Sequence, residues 1–152
     1  MVTIRKSTFL DNSRVMEIWR GSVDATHHFL TAADRQEIEA EVSGFLPGAS
    51  VDVAVDEADR PIAFMLLAAG HMEALFVDPA HRGRGLGRLL VEEALRRYPN
   101  LTVDVNEQNQ QAAGFYARLG FEQYGRSDMD HQGRPYPLIH LRHGPAAAGP
   151  AR

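Results

Sequence analysis

Residues 76–90 read FVDPAHRGRGLGRLL, and this segment constrains the fold more than any other part of the sequence. An apolar strand ends at Val77, a short loop follows, and three alternating glycines, Gly83, Gly85 and Gly87, lead into a helix. Glycine has no Cβ to cover the neighbouring backbone N–H groups, so these groups can face an anion. The helix N-terminus adds free N–H donors and the positive end of the helix dipole. The segment therefore predicts an anion-binding loop between a strand and a helix.

Three arginines in this loop indicate which anion it binds. Arg82, Arg84 and Arg88 supply cationic donors that suit phosphate oxygens, so we expect a pyrophosphate cradle. A P-loop would continue Gly-Lys-Ser/Thr, whereas here Gly87 is followed by Arg88. A dinucleotide-binding fold would place Gly-x-Gly-x-x-Gly directly after the strand, whereas the spacing here is Gly-x-Gly-x-Gly. The remaining alternative is a glycine-rich turn that carries arginines by chance.

Composition excludes several classes of site and partner. The chain has 152 residues, Lys+Arg 16 against Asp+Glu 20, a net charge of −4 and no cysteine. No disulfide, zinc–thiolate site, iron–sulfur cluster or thiol nucleophile is therefore possible. The acidic balance disfavours nucleic-acid binding, and the longest apolar run, residues 62–69, is shorter than the ~20 residues of a membrane span. The N-terminus lacks an apolar signal-peptide core, so we expect a cytoplasmic protein.

The length predicts a single domain, because domains cluster near about 100–150 residues. We place this domain at residues 1–143 and expect a disordered tail at residues 144–152, which are rich in Gly, Pro and Ala.

Hydrophobic periodicity predicts the element order βααβββαβαββ. Helices are expected from about Ser13, from Thr31 to Leu46, from Leu86 to before Pro99, and at Asn109–Leu119. Strands are expected at residues 2–5, 51–55, 62–69, 72–77, 101–105, 121–129 and 136–141. Consecutive strands without a helix between them argue against a wholly parallel sheet. The fold class is therefore α+β, with a mixed, mainly antiparallel sheet of about seven strands flanked by four helices.

Two motifs in this order resemble a known family. Arg82-x-x-Gly85-x-Gly87 is similar to the coenzyme A motif of the GNAT-type (Gcn5-related) N-acetyltransferases, and Asn109-x-x-Ala112-x-x-Phe115-Tyr116-x-x-Leu119-Gly120-Phe121 resembles their second signature. The element order is also the family's, so the resemblance covers the chain except its tail. More narrowly, SVDATHHFL, HMEALFVDP, VNEQN and GRPYPL resemble the YjaB-type bacterial branch of that family. The resemblance implies an enzyme that moves an acetyl group from acetyl-CoA to a primary amine by direct attack in a ternary complex.

The resemblance also implies which residues bind the cofactor. Acetyl-CoA would lie between the strands at residues 72–77 and 101–105, with Asn109 near it. The backbone of Leu75, Phe76 and Val77 would pair with the pantetheine arm. The pyrophosphate would lie on Arg82, Gly83, Arg84, Gly85, Leu86, Gly87 and Arg88.

Tyr116 is the candidate acid for the departing thiolate and would also contact the cofactor. A phenol, with an ordinary pKa near ~10, lies close enough to a thiol at ~8.5 to protonate the leaving sulfur. Its position also matches the tyrosine that serves this role in many family members. The alternative is a plain core position, because Ala112, Tyr116 and Leu119 form a helical stripe.

Glu73 is the candidate base, directly or through a water. It shares strand parity with Leu75 and Val77, which predicts apolar surroundings that favour proton uptake by a carboxylate. A carboxylate near this position serves as the base in some family members. The alternative is a strand carboxylate satisfied by a local hydrogen bond. The oxyanion donor is expected to be the backbone N–H of Leu75 or Phe76, which the sequence does not separate.

The acceptor amine is expected near the connection of the first two helices, which usually walls the acceptor side in this family. The candidate residues are Thr26, His27, His28 and Phe29, with Asp104, Asn106 and Tyr136 as further candidates. Paired histidines beside an aromatic ring can shape a cavity or relay a proton, but a surface or capping role is equally compatible with the pattern.

Other kinds of site lack their sequence signals. There is no His-Glu-x-x-His, so no metal site is expected, and no Gly-x-Ser-x-Gly elbow, so a Ser-His-Asp hydrolase has little support. A regulatory module that binds acyl-CoA without transfer is the alternative to an enzyme. The acceptor is expected to be a small amine or a peptide amine, no nucleic-acid or membrane partner is expected, and a monomer or a homodimer would both fit.

Overall fold

The computed structural model describes residues 1–144, so the predicted tail lies outside the described residues except for Gly144. In that part of the chain, seven strands form one sheet in the order β1-β2-β3-β4-β5-β7-β6. The strands are β1 (Thr3–Lys6), β2 (Asp52–Val55), β3 (Pro61–Ala68), β4 (His71–Val77), β5 (Thr102–Asn106), β6 (Phe121–Ser127) and β7 (Leu138–His143). The helices are α1 (Asn12–Thr26), α2 (Ala32–Phe45), α3 (Leu86–Arg97) and α4 (Gln110–Arg118). The predicted α+β class and element order are confirmed.

Two compact units make up the chain. Among the described residues, the first contains residues 1–66 and 74–90, and the second contains residues 67–73 and 91–144. The core of the first unit forms between α1 and the strands β2 and β3. Val15, Ile18, Trp19 and Val23 recur at helical spacing and are all buried, and they pack with Val53, Val55 and Phe64.

The start of α2 follows the predicted cap, but its predicted apolar stripe is partly wrong. Thr31 Oγ1 accepts a hydrogen bond from the backbone N–H of Asp34 at 3.1 Å. Phe45, expected on the buried stripe, is 52% exposed. A short 3-10 turn, Leu46–Gly48, begins at the next residue and brings Leu46 into the core instead.

In the second unit, β7 lies between β5 and β6 and pairs antiparallel with both. Strand alternation gives this part of the sheet two faces. Val103, Val105 and Leu141 are buried on one face, and Asp104 and His140 lie on the other. The predicted start of the last strand at Tyr136 is wrong, because β7 begins at Leu138. Proline at 135 and 137 has no N–H to donate to a ladder, which explains the later start.

The strands β4 and β5 form a parallel pair with a short register. Two residue pairs define it, His71 with Thr102 and Met72 with Val103. This pairing brings the first residues of β4 into the second unit and fixes which of their side chains share a face with those of β5.

Candidate active site

The loop before α3 has the backbone conformation of an open anion cradle. Gly83 and Gly85 have φ angles of +77° and +75°, in the left-handed region that favours glycine. A Cβ at either position would meet no atom within 4 Å, so conformation and not packing requires glycine here. The N–H of Leu89 donates to the carbonyl of Gly85 at 2.9 Å, so Gly85 accepts a first-turn hydrogen bond directly before α3 begins at Leu86. Gly87 then lies in the first helical turn.

The three arginines of this loop, Arg82, Arg84 and Arg88, are exposed. Arg84 Nη1 lies 3.2 Å from Nδ1 of His81, the last residue of a short 3-10 turn. Cationic side chains around free N–H donors suit a dianionic group such as pyrophosphate.

An ion pair between Asp78 and Arg14, at the start of this loop, is not predicted from the sequence. The carboxylate of Asp78 accepts the N–H of Ala80 at 3.0 Å and forms an ion pair with Arg14 of α1. Arg14 also donates from Nε to the carbonyl of Pro61 at 2.8 Å. The signal that could have found the cap is Asp78-Pro79, since Asp before Pro is typical of a helical start. The partner on α1 carries no local signal.

The expected cofactor residues of β4 lie within the strand, and one expectation about Glu73 is wrong. Leu75, Phe76 and Val77 are half-buried, and the ring of Phe76 lies 5.6 Å from that of Phe64. Glu73 is exposed, so apolar surroundings do not enclose its carboxylate. Its neighbour Met72 is 2% exposed and points into the core, so strand alternation directs Glu73 to the opposite face.

Tyr116 lies in the core of the second unit. Its hydroxyl donates to Met72 Sδ at 3.6 Å, and its ring makes edge contacts with Phe115 and Phe121 at 5.0 and 5.2 Å. Burial raises the pKa of Tyr116 above its ordinary value. The phenol therefore keeps its proton, and its pKa lies farther from that of a thiol than the sequence analysis assumed.

Asn109 serves as the N-cap of α4. Its side-chain oxygen accepts the N–H of Ala112 at 3.1 Å, and its own N–H donates to the carbonyl of Asn106 at 2.9 Å. The signature residue therefore fixes how β5 leads into α4.

The segment after α1 holds one histidine in a defined tautomer. Thr26 Oγ1 donates its single hydrogen to the carbonyl of Ser22 at 2.7 Å, so His27 Nδ1, 2.7 Å from that oxygen, must be the donor. Burial first, and then the charge of His28, lower the pKa of His27 to about 4. His27 is therefore neutral near pH 7, with its lone pair on Nε2, and its ring lies 5.3 Å from that of Phe29.

The other predicted acceptor residues have different surroundings. His28 is bonded through Nε2 to the carbonyl of Ala25 at 2.9 Å, Asn106 is half-buried at the end of β5, and Tyr136 is buried just before β7. Asp104 is the centre of a cluster that the sequence analysis missed, with imidazole nitrogens of His131 and His140 at 2.9 and 2.6 Å. Strand pairing brings these residues together, and one sequence alone does not reveal that pairing.

Residues 1–144 contain neither a metal-binding cluster nor a membrane-spanning helix. No group of His, Asp and Glu side chains there has the arrangement of a metal site. No helix there has the length and apolar character needed to cross a bilayer.

The loop geometry agrees with a family match over most of the chain. A model described as the acetyltransferase (GNAT) domain matches residues 25–123. The chain belongs to the GNAT acetyltransferase family. As a GNAT enzyme, it is an N-acetyltransferase that uses acetyl-CoA as its donor. The expected family, cofactor and enzyme class are confirmed.

Relatives place this GNAT chain in the YjaB-type branch. Peptidyl-lysine N-acetyltransferase YjaB of Salmonella typhimurium is 53% identical over 93% of this chain and 97% of that protein. The protein of the same name from Escherichia coli is 52% identical over 93% of this chain and 96% of that protein. The solution structure of apo-form YjaB from Escherichia coli matches with a TM-score of 0.90 and 52% identity, over 94% of this chain and 97% of that one.

Proposed function

We propose that this enzyme acetylates the ε-amine of lysine residues in peptides or proteins, by direct attack of the amine on acetyl-CoA. Two relatives at 53% and 52% identity over nearly their whole length are both named peptidyl-lysine N-acetyltransferase. This name supports a peptidyl lysine as the acceptor. The glycine loop with its left-handed residues supports the donor side. A cytoplasmic location, a single domain over residues 1–143 and a monomer or homodimer stay predictions.

The glycine loop and β4 would bind the cofactor. Backbone N–H groups at Gly83, Gly85 and the start of α3, with Arg82, Arg84 and Arg88, would hold the pyrophosphate. The backbone of Leu75, Phe76 and Val77 would pair with the pantetheine arm. The open space around Gly83 and Gly85 supports this binding mode, since a phosphate needs close approach to the main chain.

Tyr116 and Glu73 would carry out the proton transfers. Tyr116 would protonate the departing thiolate with the hydrogen that its hydroxyl otherwise donates to Met72 Sδ. Glu73 would take the proton of the amine, directly or through a water, as an exposed carboxylate in contact with solvent. A backbone N–H of Leu75 or Phe76 would stabilise the oxyanion, and Asn109 would position α4 near the cofactor.

His27 would accept a hydrogen bond from the acceptor amine. Its fixed tautomer leaves Nε2 as an acceptor, and a neutral imidazole does not repel a lysine ammonium before it loses its proton. Thr26 would hold the tautomer, and Phe29 would pack beside the lysine chain. His28, Asn106 and Tyr136 are further candidates for contacts with the peptide.

Release of free thiol from acetyl-CoA tests this proposal. The protein has no cysteine, so a thiol-reactive dye gives no background from the protein itself. A peptide with one lysine should accelerate release, whereas the same peptide with Nε-acetyl-lysine should not. Acceleration by spermidine or free amino acids alone would contradict the peptide acceptor. Binding of acetyl-CoA without acceleration by any amine would instead support the regulatory module.

A further inference from the structure

Three side chains on neighbouring strands of the second unit form a hydrogen-bonded row. Ser127 Oγ lies 2.7 Å from His140 Nε2, and His140 Nδ1 lies 2.6 Å from Asp104 Oδ1. The row follows the sheet order β6, β7, β5, and His140 lies directly opposite Asp104 in the ladder. The order of groups, hydroxyl to imidazole to carboxylate, is that of an activated serine.

The chemistry of the three groups fixes the direction of each hydrogen bond. An ionised carboxylate only accepts, so His140 Nδ1 carries a hydrogen and donates to Asp104. In the neutral imidazole Nε2 then has a lone pair, and Ser127 must donate its hydroxyl hydrogen to it. Asp104 Oδ2 also lies 2.9 Å from His131 Nε2 and 3.6 Å from His71 Nε2. The carboxylate therefore orients His140 with one oxygen while its other oxygen faces two further imidazoles.

The imidazole of His140 is also held by its neighbours. Gly125 is paired with His140, and a Cβ at Gly125 would lie 3.3 Å from the ring atom Cδ2. The ring of Tyr124, at a shift in the β6 register, lies 6.1 Å away. Side-chain exposures of 20% for His140 and 14% for Asp104 limit competition from water, while half-buried Ser127 on the edge strand stays within reach of solvent.

We propose that Ser127, His140 and Asp104 form a second, nucleophilic centre that takes an acyl group from activated esters. Ser127 Oγ attacks the carbonyl carbon, so an Oγ–C bond forms and the C–O bond to the leaving group breaks. His140 Nε2 takes the hydroxyl proton and passes it to the departing oxygen, while Asp104 holds the imidazole. Water then hydrolyses the acyl-serine and restores the hydroxyl. The missing Gly-x-Ser-x-Gly elbow is no objection, because such triads occur on unrelated folds.

Hydrolysis of p-nitrophenyl acetate by the full chain tests this centre. Nitrophenolate release should show a burst, and peptide mass spectrometry should find one acetyl group on Ser127. Ser127→Ala should remove the burst and lower the rate by about 100-fold, the usual scale of nucleophile and base activation. His140→Asn should do the same, because it removes the base. The matched control Ser43→Ala, whose hydroxyl donates to the Glu39 carbonyl on α2, should leave both unchanged.

Two results would overturn the proposal: an unchanged rate in Ser127→Ala, or acetyl groups on Lys6 and the N-terminus with none on Ser127. If Ser127→Ala does not fold, Ser127→Cys decides, since a thiol at this position should still be acylated. Acetyl-CoA-dependent transfer to a lysine peptide should persist in Ser127→Ala. The second centre and the acetyltransferase activity therefore fail or succeed independently.

Discussion

The hydroxyl of Tyr116 donates to the sulfur of Met72 at 3.6 Å, inside the core of the second unit. Met72 is also the last residue of β4 in the parallel register with β5, where it pairs with Val103. The hydroxyl of the candidate acid therefore contacts the last residue of β4 that pairs with β5. Edge contacts with Phe115 and Phe121 hold the ring itself, so the hydroxyl can be removed without disturbing its packing.

Tyr116→Phe should lower kcat by about 100-fold or more, the usual contribution of a positioned acid. The aromatic contacts stay, so the Kd for acetyl-CoA should change little, and thiol-release kinetics with calorimetric titration of the cofactor separate the two quantities. Because burial raises the pKa of Tyr116, its deprotonation should not limit kcat in the wild type at or below about pH 10. Unchanged turnover in the variant, with cofactor binding retained, would exclude Tyr116 as the acid.

Gly83→Ala and Gly85→Ala should each weaken acetyl-CoA binding by about tenfold. A side chain at positive φ costs on the order of 1–2 kcal/mol, so the free loop of each variant should relax to another conformation. Binding must then restore the positive φ, and 1.4 kcal/mol of that cost corresponds to a factor of about ten in Kd. Gly48→Ala is the control, because a Cβ there also meets no atom within 4 Å but its backbone is not left-handed. Calorimetric titration gives the three Kd values, and equal binding by all three variants would count against the loop as the pyrophosphate site.

The glycine loop between β4 and α3 could be predicted because its signal is local. Glycine spacing at a strand–helix junction indicates an anion cradle, and two of those glycines have the positive φ that explains them. The sequence predicts Glu73 on β4, but no local signal shows which face of that strand is covered. Its parity with Leu75 predicts apolar surroundings, whereas the structure leaves the carboxylate exposed.

The row of Ser127, His140 and Asp104 could not be predicted, because it depends on strand order. Asp104 and His140 are 36 residues apart, and they meet because β7 inserts between β5 and β6. A single sequence specifies strands far better than their partners. The start of β7 at Leu138 could be predicted from the sequence, because Pro137 has no N–H to donate to a strand ladder.

Arg14→Ala should destabilise the fold more than an ordinary surface change. Arg14 and Asp78 are only 15% and 17% exposed, and removing the guanidinium leaves the carboxylate without its partner in a partly dry site. We expect a loss of about 1–3 kcal/mol in the free energy of unfolding, from the loss of a charged hydrogen bond. Arg20→Ala is the matched control, since Arg20 pairs with Glu39 but is 46% exposed. Urea unfolding measures the loss of unfolding free energy in both variants. Equal losses would contradict a stabilising role for the ion pair between Arg14 and Asp78.

The lowered pKa of His27 predicts how the free energy of unfolding depends on pH. Its pKa falls from an ordinary 6.5 to about 4 in the folded state, so the unfolded chain binds the proton more readily. The contribution is fully present above about pH 6.5 and is lost as the pH falls toward 4, by up to about 3 kcal/mol at 1.36 kcal/mol per pKa unit. His27→Gln removes the titrating group, so the variant should lose less stability than the wild type between pH 7 and pH 4.

Thermal unfolding of both proteins across this pH range checks the expectation. His28→Gln is the companion variant, because the charge of this exposed imidazole is the smaller cause of the low pKa of His27. It should lose less stability than the wild type and more than His27→Gln. If His27→Gln and the wild type lose equal stability between pH 7 and pH 4, His27 is not buried in its neutral form. The fixed Nε2 acceptor proposed for the lysine amine would then lose its support as well.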